Sequence, residues 1–179
     1  MSTRAADRVA ALASVQRQPT GAAFDIVLLL HVTSAVLGVA TVVVGAVAAI
    51  RLLVADPSSP LPATLRRYFS PGVNWAGRTL YAVPILGVTL LVMSRGAYGV
   101  EDTWVRWGIG LWAASVIGAE SLLWPAERRI QALIHGSNPG VDDETRYREL
   151  RKAGWKMAVT STVIVVALVA AAVVMVAQP

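Results

Sequence analysis

The chain of 179 residues contains no cysteine. That excludes disulfides, thiolate metal sites, a cysteine nucleophile and covalently attached c-type haem. Histidine occurs only as His31 and His135, and lysine only as Lys152 and Lys156. No Gly-rich phosphate loop, HExxH run or credible Ser-His-Asp arrangement is present, so the sequence offers no catalytic set and no metal-ligand set. Methionines are few and scattered, which leaves a copper route without the clusters it needs. Charged residues make up only 15% of the chain, against about 25% in an ordinary soluble domain.

What the sequence does have is apolar surface. Hydrophobic residues account for 55% of it and the mean hydropathy is +0.58, the composition of a membrane protein. A net charge of +5 would suggest nucleic acid in a soluble domain. In a polytopic protein the same arginines sit in cytoplasmic loops beside anionic lipid, and the lipid reading is preferred here.

Residues 1–23 carry Arg4, Arg8 and Arg17 without a continuous apolar core or a convincing cleavage site, so a signal peptide is not expected. They read equally as a disordered polar tail or a short interfacial helix. The rest, 24–179, reads as an all-α transmembrane domain of four helices, with spans at about 24–53, 78–94, 104–124 and 156–176. Segment 125–155 reads as two cytoplasmic helical extensions, the first stopped by Gly136. The loops between spans one and two and between three and four hold most of the Lys and Arg, against Arg4, Arg8, Arg17, Arg95 and Arg106 opposite. Both termini are therefore expected outside the cytoplasm. Trp75, Trp124 and Trp155 then fall at the inner interface, and Tyr98, Trp104 and Trp107 at the outer one.

An ionisable group inside a span is costly and marks a candidate site. His31 lies in span one, with Gly38, Thr41, Gly45 and Ala48 following at helical spacing, so it is expected to face the bundle. It suits either a packed histidine bonded to a hydroxyl or carbonyl, or an axial ligand to haem b. Glu120 lies in the inner half of span three and is expected to face protein, as a buried ion pair or a proton relay. Arg78 and Lys156 are its candidate partners, with Arg51 a third. Pro84 predicts a helix kink and frees the Leu80 carbonyl from its helical donor, for a packed kink or a cation site.

Three pieces carry a family resemblance: LLLHVTSAVLGVA, AVPILGVTLLVMSRGAYGVEDTWVRWGIGLW and WPAERRI. Together they resemble a family of small bacterial integral membrane proteins of unknown function, over most of the chain after Phe24. More remotely, the first-span histidine followed by small residues is similar to the CopD-type copper-resistance membrane domain and to HemJ-type protoporphyrinogen oxidases. The HemJ-type likeness implies a four-helix core with His31 as haem ligand, but that family's transmembrane lysine has no match here. The CopD-type likeness implies copper movement.

The expectation is a multi-pass protein of the bacterial inner membrane. A non-enzymatic accessory or scaffold subunit of a complex or homo-oligomer leads, ahead of a haem protein using His31 and a small ion or proton transporter using Glu120 and Pro84.

Overall fold

The computed structural model describes residues 21–56, 59–136 and 142–177, and among them all regular structure is helical. The N-terminal reading of residues 1–23 falls almost wholly outside the described residues.

Helix α1, Ala22–Leu53, has 32 residues, or about 48 Å at 1.5 Å per residue. It ends at Val54, whose N–H still reaches the Ile50 carbonyl, just before Asp56-Pro57 halts helical propagation. A short helix α2, Ala63–Tyr68, starts behind Pro62. A 3-10 turn, Gly77–Tyr81, then runs directly into α3, Ala82–Met93. Pro84 stands in the first turn of α3, at this joint, where the sequence reading expected a kink inside a span. The joint absorbs the missing N–H, because the first turn of a helix has donors to spare.

Helix α4, Thr103–Gly118, continues through a π turn, Ala119–Leu123, into α5, Trp124–His135. Pro125 explains the π turn. Its ring cannot sit against the Ser121 carbonyl in a regular α-helix, and widening the turn by one residue relieves the clash. Span three and the first extension are therefore one helical body rather than two pieces. Gly136 ends it with an extended backbone. Helix α6, Asp143–Ala177, likewise joins the second extension to the last apolar run in 35 unbroken residues. Asp142 caps it by accepting the Thr145 N–H at 3.1 Å. The side-chain and backbone bonds from Thr145 hold the Asp142 carboxyl below the usual carboxylate range.

Three of these helical bodies are long and apolar enough to cross a membrane: Ala22–Leu53, Thr103–His135 and Asp143–Ala177. Gly77–Met93 is a shorter apolar helix. Only 11% of the most apolar window of α1 is buried, so its valines and leucines cover the outside of the bundle. An apolar surface that large points to a membrane protein.

The core is not spread evenly along the bundle. The buried residues of α1 begin at Gly38, and α3 buries none of its own. Packing concentrates at the arginine-rich end, where Ala49, Leu52, Phe69, Leu80, Ile130 and Met157 are nearly inaccessible. Gly38 makes the contact between α1 and the 3-10 turn, since a Cβ there would lie 2.5 Å from Leu80 Cδ2. Leu80 is 1% exposed and has nowhere to retreat. At Gly108 a Cβ would meet only the tip of Met175, which swings aside easily. Gly38→Ala should therefore cost about 1–3 kcal/mol of overpacking, and Gly108→Ala clearly less. Thermal unfolding of the two variants in mild detergent checks the order.

Candidate functional site

Three polar contacts within the apolar helices join one element to another, while hydroxyls such as Thr89, Ser115 and Thr162 bond back to their own helix. At the first, His31 on α1 places Nδ1 2.9 Å from the Val83 carbonyl at the start of α3. A carbonyl can only accept, so Nδ1 carries a proton and Nε2 is the nitrogen left outside this bond. Gly87 makes room for this approach, since a Cβ there would stand 3.3 Å from His31 Cε1.

The second contact answers the question Pro84 raised. The Leu80 carbonyl, without its helical donor, accepts the indole N–H of Trp112 at 2.9 Å. A cation site at that oxygen is thus displaced by a bond between the 3-10 turn and α4.

The third contact is built around Glu120 in the π turn. Arg78 Nη1 donates to Glu120 Oε1 at 2.9 Å, and the Tyr81 hydroxyl donates to the same oxygen. The Arg78 guanidinium also lies 3.7 Å from the ring centroid of Trp124, close enough for cation–π attraction. Arg78 is thus the ion-pair partner, while Lys156 makes no ion pair with Glu120 among the described residues. The expected burial of this pair is corrected. Glu120 is 46% exposed, because it follows Ile117 by three residues on the exposed side of the helical body that begins with α4. Trp124, expected at an interfacial belt, is instead buried beneath Arg78, whereas Trp75, Trp107 and Trp155 are exposed.

A fourth cluster had no place in the sequence reading. Glu127, in the first turn of α5, is only 6% exposed and is hydrogen-bonded by the Asn74 side chain. Asn74 is held in turn, because its Oδ1 accepts the Gly77 N–H at 3.1 Å. Beside Glu127 lies a cavity of about 10 Å³, whose wall includes Tyr68, Asn74, Thr41 and Ser161. Gly45 admits the Tyr68 hydroxyl, which would stand 3.1 Å from a Cβ there. Burial, and the nearby Glu127, raise the Tyr68 pKa well above the ordinary phenol value, so the hydroxyl stays neutral. Glu127 was legible in principle. Leu123, Ala126, Ile130 and Leu133 form the buried stripe of that helical body, and the carboxylate falls on it.

His135, the other histidine, places Nε2 3.3 Å from the Arg66 carbonyl and ties the end of α5 to α2.

These contacts differ in energetic weight. Glu120→Ala removes a partly exposed ion pair and should cost at most about 1 kcal/mol. Arg78→Ala also strips the cover from Trp124, and is expected to cost about 1 kcal/mol more. Trp112→Phe leaves the Leu80 carbonyl unpaired in an apolar setting, at about 1–3 kcal/mol. Pro84→Ala restores an N–H to that carbonyl, so the double variant should recover part of the loss. Chemical denaturation of the single and double variants in detergent measures the coupling.

In comparison with family models, curated proteins and solved structures, no match to the chain was found.

Proposed function

We propose that the chain is a non-enzymatic multi-pass protein of the bacterial inner membrane that serves as an accessory or scaffold subunit of a homo-oligomer or larger complex. The observation that carries this reading is the use of the polar groups in the apolar helices: His31, Trp112, Arg78, Tyr81 and Glu120 each bond to another element of the same chain. Bonds of that kind fix helix register, which is what a packing component needs.

Four crossings are part of the proposal. The segment Gly77–Met93 is short in residues, but its first five adopt the steeper 3-10 rise. It reaches about 28 Å, close to the ~30 Å of a hydrocarbon core. The arginine-rich loops then lie in the cytoplasm beside anionic lipid and both termini lie outside.

The face offered for assembly is on α4, where Trp107, Gly110, Ala114 and Ile117 are exposed in succession. A Cβ at Gly110 would meet nothing within 4 Å in the chain itself. Small residues four apart let a second helix approach closely in a bilayer.

A second reading keeps His31 as a haem b ligand. The bond from Nδ1–H to a backbone carbonyl is the arrangement that orients a ligating imidazole and leaves Nε2 to the metal.

The cysteine-free background makes both readings testable. Gly110→Cys should form disulfide-linked dimers in native membranes under mild oxidation, whereas Val173→Cys on α6 should not. Equal yields from the two variants would contradict assembly through α4. The haem reading requires a Soret band from the purified protein, lost in His31→Ala without unfolding. A colourless preparation made with ample haem removes that reading.

A further inference from the structure

The cavity beside Glu127 joins three observations that packing alone leaves unexplained. Its size, about 10 Å³, is the room that one water-sized sphere needs. Ser161 Oγ, on its wall, is fully buried and is the one buried side-chain oxygen or nitrogen among the described residues without a hydrogen-bond partner. Glu127 is a buried carboxylate with no ion-pair partner within 4 Å among the described residues. An orphaned hydroxyl and a carboxylate without an ion pair on the wall of one small cavity are costly separately and are satisfied together by one positive occupant.

We propose that this cavity binds one small monovalent cation, sodium, between the Glu127 carboxylate, Ser161 Oγ and the Tyr68 hydroxyl. The donor set fixes the class of ligand. Hard oxygens with no histidine or cysteine suit an alkali or alkaline-earth ion rather than a transition metal. A single carboxylate balances one charge, whereas a divalent ion would draw in further carboxylates. Thr41 donates its hydroxyl proton to the Gly38 carbonyl, which turns the oxygen lone pairs toward an acceptor role. A lone water would satisfy Ser161 but would bring no positive charge into contact with the carboxylate, which Arg78 and Arg128 reach only at longer range.

The donors come from three elements, α2 through Tyr68, α5 through Glu127 and α6 through Ser161, and Thr41 of α1 completes the cavity wall. Asn74, from the turn before the 3-10 segment, clamps the carboxylate from the side. A proton competes for the same carboxylate. The charged and titratable groups around it are Tyr68 on α2, Arg78 on the 3-10 turn and Arg128 on α5 itself, while α1 and α6 line the cavity with neutral side chains. Sodium binding therefore weakens as pH falls and Glu127 takes up its proton. The inference is independent of the scaffold reading.

The test is thermal unfolding of the full chain in detergent, with sodium chloride titrated against choline chloride at constant ionic strength. Sodium should raise the Tm saturably at mildly alkaline pH, choline should not, and the rise should shrink at acid pH. Glu127→Gln should abolish the sodium response. Ser161→Ala and Tyr68→Phe, which keep the carboxylate, should shift the half-saturating sodium concentration upward by roughly tenfold, the effect of about 1.4 kcal/mol. If Glu127→Gln fails to fold, those two variants carry the test. Equal responses to sodium and choline, a sodium response that survives Glu127→Gln, or unchanged half-saturation in both hydroxyl variants would overturn the proposal.

Discussion

The Leu80 carbonyl, deprived of its helical donor by Pro84, takes the indole proton of Trp112, and the fold around it depends on that exchange. An apolar bundle supplies no water to a stray backbone oxygen, so the partner comes from another helix of the chain. The same constraint governs His31 and the Val83 carbonyl. It also governs Glu120, whose carboxylate leaves the helix path at a π turn and meets Arg78 and Tyr81. Both prolines within the apolar helices, Pro84 and Pro125, thus stand beside a bond or a turn that joins one element to the next.

The packing gradient follows from where these bonds fall. Arg78, Leu80, Trp112, Glu120 and Trp124 cluster toward the end of the bundle where α2 and the 3-10 turn pack, and the buried residues of α1 lie there too. Away from that end, α1 and α3 meet through the glycine at 87 and the histidine at 31, with wide apolar surface left outside. A bundle tight at one end and open to lipid or partners along its length suits a component that assembles with others better than one that encloses a substrate.

Much of this was legible in the chain. The long apolar runs marked the helices, the small-residue stripe after His31 marked the face of α1 that packs, and a carboxylate inside a span marked the neighbourhood of Arg78. The rest depended on tertiary context. The π turn is a response to Pro125 that hydropathy does not report, and Glu120 falls on the exposed side of its helical body, in line with Ile117. Glu127 sits in a stretch whose average polarity suggests a solvated helix, yet its position on the Leu123–Ile130 stripe places it in the core. Tyr68, Asn74 and Ser161 come from three separate segments, and only the packing of α2 and the following turn against α1 and α6 brings them together.

The central claim, that the bundle is a packing component built to associate, is tested most directly by its mass in solution. Size-exclusion chromatography with multi-angle light scattering, corrected for bound detergent, gives that mass for protein extracted gently from the membrane. The account predicts a single species at an integer multiple of the chain mass, or one stoichiometric complex with a second subunit. A monodisperse monomer, with no second subunit, would contradict it.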